Sequence, residues 1–157
     1  MQELSVVGVR LELPSNQPIV LLKEVSGERY LPIWIGAVEA TAIAFAQQGV
    51  TTARPMTHDL FRDVLQALDA AVARVVITDL QDGVFFATLI FGNGVEVSAR
   101  PSDAIALAMR LSVPVFSEEA VLSEAGIEVP SEGGDQENEV EKFREFLENI
   151  SPDDFGS

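Results

Sequence analysis

Cysteine is absent from the chain, which excludes disulfides, a thiolate nucleophile and any cysteine-ligated metal. That absence fits a reducing compartment, and a cytoplasmic location is the expectation. Cations are scarce: 10 Lys and Arg stand against 25 Asp and Glu, a formal net charge of −15. Proteins that hold nucleic acid through bulk electrostatics leave a basic footprint, because phosphate neutralisation supplies most of that affinity. None is visible here. No apolar run approaches the ~20 residues needed to cross a bilayer, and no membrane partner is expected. The opening MQELSVVGVRLEL has no basic stretch followed by an apolar core, so no signal peptide is expected. Asp-x-Asp, His-x-x-x-His, a Walker loop and Gly-x-Ser-x-Gly are all missing. Chemistry carried by those motifs therefore has no sequence signal.

What is present is an ordinary globular composition, 47% hydrophobic over 157 residues, enough for one domain with an appendage. The charge is unevenly spread. Residues 1–127 carry 8 Lys and Arg against 15 Asp and Glu, while residues 128–157 carry 2 against 10. More than half of the excess thus falls in the last thirty residues. That boundary divides the chain into a 1–127 body and a 128–157 acidic extension.

The body reads as α+β: antiparallel hairpins and a meander sheet packed with several helices. Val7, Val9, Leu11 and Leu13 alternate with polar or small residues, the period of a strand. PIVLLKEV and RYLPIWIG continue the meander, and Pro32 marks an edge or a bulge. AVEATAIAFAQQ is a helix that Gly49 stops. A second helix over 57–69 places Leu60, Val64, Leu65 and Leu68 in one apolar stripe. Asp82-Gly83 and Asn93-Gly94 are hairpin turns between strands. A third helix follows Ser98. VPVF is a short strand, and a last short helix is capped by Ser117 and stopped by Gly126. In the extension, 131–137 reads as a linker. Val140, Phe143, Phe146 and Leu147 give 139–149 the spacing of an amphipathic helix.

LPIWIGAVEATAIA, RPMTHDL and ARPSDAIALAMRLSVPVFSEEAVLSEAGI occur in that order. Together they resemble the bifunctional nuclease domain family, from about Val6 to Ile127. The acidic extension resembles those of actinobacterial members. The resemblance implies an α+β fold that self-associates and a nuclease acting on DNA and RNA. It brings no established catalytic triad or metal motif.

The chemistry-bearing residues cluster at two similar junctions, each an Ala-Arg-Pro followed by a hydroxyl residue, an aspartate and a helix. In the later one Ser102 is the expected N-cap, with Asp103 in the favoured first turn. Arg100 either pairs with Asp103 or aims at an anion. In the earlier one Thr57 is the expected cap, followed by His58 and Asp59, with Arg54 upstream. His58 is the single histidine; at a helix N-terminus its cationic form is disfavoured, which suits a base or a ligand. Glu39 is the only charge in an otherwise small and apolar helix, and is either exposed or aimed at a site. For a nuclease, Glu39, Asp59 and Asp103 supply hard oxygens for Mg²⁺ or Mn²⁺, and Arg54 and Arg100, with Thr57 and Ser102, hold phosphate. His58 is then general acid or base. Tyr30, Trp34 and Phe85-Phe86 are able to stack bases, or serve as core. The competing reading is a non-catalytic oligomeric module for a small anion or a protein partner. Three further expectations follow. The two helix entrances converge on one cleft, the chain forms a homo-oligomer (a dimer in the simplest case), and the terminal helix docks marginally.

Overall fold

The computed structural model describes residues 1–128. The linker and helix expected in 129–157 lie outside the described residues. Three strands open the chain: β1 (Gln2–Glu12), β2 (Gln17–Glu24) and β3 (Arg29–Trp34). Two helices follow, α1 (Ala37–Gln48) and α2 (Thr57–Ala67), then β4 (Val72–Gln81), β5 (Val84–Phe91) and β6 (Glu96–Ala99). The body ends with α3 (Pro101–Leu111), β7 (Val115–Ser117), α4 (Glu119–Ala125) and β8 (Ile127–Glu128). All strands join one sheet in the order β6-β5-β4-β7-β1-β2-β3-β8. The expected hairpins are there, and the fold is α+β. The sheet is mixed rather than wholly antiparallel, because β7 enters between the two meanders and pairs parallel to β4 and antiparallel to β1.

Local chemistry explains the joints. Asp82 and Gly83 both take positive φ, 51° and 78°, as a two-residue hairpin turn requires. Gly49 closes α1 at φ 68°. Pro32 pairs with Leu21 of β2, whereas β8 reaches only Arg29 and Tyr30 on the other side of β3, so its missing N–H faces no partner strand.

The core lies between the sheet and the helices. Val20 and Leu22, Leu31 and Ile33, and Val75 and Ile77 alternate into it and meet Ile43 of α1 and Ile105 of α3. Helix α1 packs on β1, β2 and α3, and α3 packs on β4 and β5 with α2 at its flank. By strand alternation Ile19, Leu21 and Val76 point to the opposite face, yet they are buried too. The sheet is therefore curled as well as covered. Its curl brings the end of β3 to the start of β5 and the end of β6, where all three line one hollow.

Three expectations are corrected. In β1 a bulge between Val6 and Gly8 shifts the pairing, so the simple alternation breaks, and Leu11 and Leu13 at the hairpin end are exposed. The 57–69 helix ends at Ala67, and of its stripe only Leu65 is buried; Leu60, Val64 and Leu68 are exposed. The helix caps also move. Pro101 occupies the first turn of α3 and Arg100 is its N-cap; Met56 is the N-cap of α2 and Glu118 that of α4. Ser102, Thr57 and Ser117 therefore do not cap. Proline suits a first helical position because it has no N–H to satisfy there.

Candidate functional site

The first turns of three helices meet. Helix α1 brings Glu39, which is buried although it is a lone carboxylate. Gly36 makes room for it: a Cβ at that position would lie 2.8 Å from Glu39 Oε2. Helix α3 brings Arg100 and Asp103, and α2 brings His58.

The four side chains form one continuous chain of contacts. Arg100 Nε donates to Asp103 Oδ2 at 3.0 Å, and its Nη2 lies 2.8 Å from the same oxygen. Nη2 also donates to Glu39 Oε1. The second oxygen of Asp103, Oδ1, lies 2.9 Å from His58 Nε2. Asp103 first and Glu39 second hold the Arg100 guanidinium more firmly protonated than a free arginine. An ionised carboxylate only accepts. Opposite a carboxylate, His58 Nε2 is the nitrogen placed to donate, and Nδ1 is the nitrogen turned away from Asp103. The side chain of His58 is 12% exposed and that of Arg100 is 54% exposed. The arginine is thus anchored at one edge and open at the other.

Asp59 belongs elsewhere. Its Oδ1 accepts from Arg110 Nε at 2.6 Å, and its Oδ2 accepts from the Met56 amide at 3.0 Å. Burial opposes ionisation of Asp59, but the Arg110 and Met56 hydrogen bonds and the Arg110 charge outweigh it and keep the carboxyl below its usual range. Arg110, only 7% exposed, also donates to the carbonyls of Ala106 at 2.9 Å and Ala42 at 3.1 Å. The pair is a brace that ties α2 to α3 and α1. Sequence reasoning missed Arg110, since nothing around it distinguishes a brace from a solvent-facing arginine in a last helical turn.

The expected metal set of Glu39, Asp59 and Asp103 is not assembled. Asp59 is committed to Arg110, and Glu39 and Asp103 share Arg100. Among the described residues no group of three or more His, Asp or Glu side chains is arranged to hold a metal ion. Arg54 and Thr57 are exposed, and the Arg54 carbonyl accepts from Thr52 Oγ1.

Two hollows lie nearby, and of the four network residues only Arg100 lines either of them. One, of about 410 Å³, lies beside the Asp59–Arg110 brace and is lined also by Ala53, Pro55 and Arg62. The other, of about 360 Å³, is lined by Trp34, Gly36, Phe86, Ser98, Arg100 and Ser102, among others. Arg54 lines neither. The two helix entrances do meet, through His58 and Asp103, but the two arginines do not share a cleft. The repeated Ala-Arg-Pro is one structural device used twice, and only the later copy puts its arginine in the site.

Residues 20–130 match the family model described as bifunctional nuclease domain. The chain belongs to the bifunctional nuclease domain family. Glu39, His58, Arg100 and Asp103 all fall inside the matched span, whereas β1 lies outside it. Among similar proteins is Uncharacterized protein Rv1829 of Mycobacterium tuberculosis (strain ATCC 25618 / H37Rv). It is 55% identical over 161 residues, covering 99% of this chain and 98% of that protein. Bifunctional nuclease 1 of Oryza sativa subsp. indica is 27% identical over 120 residues. That alignment takes in 73% of this chain but 36% of the rice protein. The matched family model accounts for most of this chain, and the stretch it shares with the plant relative is a minor part of that protein. No helix among the described residues is long and apolar enough to cross a membrane.

Proposed function

We propose that this chain hydrolyses phosphodiester bonds of DNA and RNA at the Glu39–Arg100–Asp103–His58 network. The observation that carries the reading is the His58–Asp103 contact of 2.9 Å beside a half-open arginine. An aspartate that fixes an imidazole in one tautomer makes it a directed base, as in hydrolytic triads. His58 Nδ1 takes a proton from the attacking water as the new P–O bond forms. Arg100 Nη1, the guanidinium nitrogen outside the ion pairs, neutralises a non-bridging oxygen as charge builds. The imidazolium then returns the proton to the leaving oxygen as the old P–O bond breaks. Glu39 positions Arg100. No 2′-hydroxyl is used, which is why both nucleic acids serve.

Magnesium or manganese dependence is a separate proposal. It would need Glu39 and Asp103 to release Arg100 and to be joined by water and substrate phosphate as further ligands. Purified wild type beside Arg100→Ala and Asp103→Ala, each with and without EDTA, tests both. Loss of cleavage in the variants supports the site, and loss with EDTA alone adds the metal. Equal cleavage by all three proteins overturns the reading. The competing non-catalytic module has one favouring observation: Glu39 and Asp103 hold Arg100 in place and leave its Nη1 outside the ion pairs, as a fixed donor. It predicts saturable anion binding with no turnover.

We further propose self-association through α2. Met56, Leu60, Val64 and Leu68 recur every four residues and, with Phe61, leave an exposed apolar face on that helix. A patch of this kind marks an interface. A second copy suits it, because a two-fold axis sets the same stripe against itself.

A further inference from the structure

The hollow beside Arg100 has features that the hydrolytic network does not use. Its volume, about 360 Å³, falls in the roughly 300–1,000 Å³ range of small-molecule sites. Arg100 is the one charged side chain in its lining, and Ser98 and Ser102 are its hydroxyls. Ser102 is 5% exposed, and no hydrogen bond is formed by its hydroxyl among the described residues. That hydroxyl is not among the sealed polar atoms left without a partner; it opens onto the hollow, where water or a ligand atom meets it. The N-terminus of α3 adds donors. The first bond of the helix runs from the Ala104 amide to the Arg100 carbonyl at 3.0 Å, and Pro101 has no N–H. The Ser102 and Asp103 amides thus precede the ladder. The rest of the lining is largely apolar. It includes Phe86, 40% exposed, with Ile33, Val84 and the buried Trp34.

An anion-binding end and aromatic side chains within one hollow match the phosphate and the base of a nucleotide. We propose that this hollow is a subsite for one unpaired nucleotide of the substrate strand. Its phosphate meets Arg100 Nη1, the Ser102 hydroxyl and the α3 amides; its base lies against Phe86 and Trp34. The inference rests on the nuclease reading and deepens it. A base must leave a duplex to reach these aromatic side chains, so the substrate class is single-stranded nucleic acid.

Trp34 is the only tryptophan in the chain and lines the hollow, so its fluorescence is a single reporter placed at the subsite. The probe is AMP, which has no diester bond to cleave and binds whether or not the protein is a nuclease. The full chain is titrated with AMP, adenosine and inorganic phosphate. AMP is expected to quench Trp34 saturably and more tightly than adenosine, and phosphate to compete with AMP without quenching. Phe86→Ala is expected to weaken AMP about tenfold, in line with loss of one stacking surface. Ser102→Ala is expected to weaken AMP several-fold and leave adenosine unchanged. Should Phe86→Ala lose its far-UV circular dichroism, Phe86→Leu keeps the bulk and removes the ring. AMP binding without any cleavage activity keeps the subsite and removes the nuclease. Cleavage without AMP binding, or AMP binding unmoved in folded Phe86 and Ser102 variants, overturns the subsite. A blunt duplex that quenches as well as a single strand of the same sequence also overturns it.

Discussion

Replacing Arg110 by Met removes the centre of the brace that holds the three helices together. The side chain is 7% exposed and its partner Asp59 is 22% exposed, so a nearly buried carboxylate is left without its cation. Breaking one half of a buried ion pair costs roughly 3–5 kcal/mol. Asp59 borders a hollow that admits water, and it keeps the Met56 amide, which places the expected loss near the lower end, about 3 kcal/mol. The carbonyls of Ala106 and Ala42 lose a side-chain donor but belong to helices, and they add little. Urea unfolding reads this directly: with a slope of ~2 kcal/mol per molar, the midpoint falls by about 1.5 M. The double variant Arg110→Met/Asp59→Asn separates charge from packing. Asn keeps an oxygen for the Met56 amide and has no charge to strand, so it should recover more than half of the loss. A midpoint that moves by less than about 0.5 M refutes the brace. So does a double variant no more stable than Arg110→Met.

The same pair fixes a pH dependence. The Asp59 carboxyl is held below its usual range in the folded chain, so the unfolded chain binds that proton first as pH falls. The stability gap between wild type and Arg110→Met should be full above about pH 5 and shrink below about pH 4, measured by urea titration at each pH; a gap that widens on acidification contradicts the assignment. Gly36→Ala places a Cβ 2.8 Å from Glu39 Oε2 and should displace that carboxylate from Arg100, lowering nuclease rate about tenfold while the melting temperature changes by only a few degrees. Leu60→Glu puts a charge in the exposed α2 stripe. It should abolish the proposed self-association, read by light scattering, without loss of circular dichroism. A wild type that is monomeric at micromolar concentration removes the proposed interface, and one that becomes oligomeric only on deleting 128–157 assigns the stripe to the tail.

Features set by a few neighbouring residues were legible in the sequence. Asp82-Gly83 turned the chain because those two residues tolerate positive φ, and Gly49 ended α1 for the same reason. Arg100, Asp103, His58 and Glu39 were legible as chemistry, since each was a charged or titratable residue placed at a helix start. Their partnership was not, because the His58–Asp103 contact spans 45 residues and the Arg100–Glu39 contact 61. The α2 stripe shows the limit of periodicity: spacing identifies an apolar face, but Leu60 and Val64 face outward, because α3 lies against the Leu65 side. Asp59 had the same sequence signal as Asp103, and only the distant Arg110 diverted it. The insertion of β7 between β1 and β4 depends on two strands far from its own three residues, and no local pattern marks it.

The central claim, that His58 held by Asp103 is the base of a nuclease site, is tested most directly by cleavage rates of wild type and His58→Ala. The two proteins are purified in parallel and assayed on one single-stranded substrate. The account predicts a loss of roughly 10²–10⁴-fold in the variant, the usual contribution of general acid–base catalysis, with partial rescue by added imidazole. Equal rates in the two preparations, with both proteins folded, would contradict it.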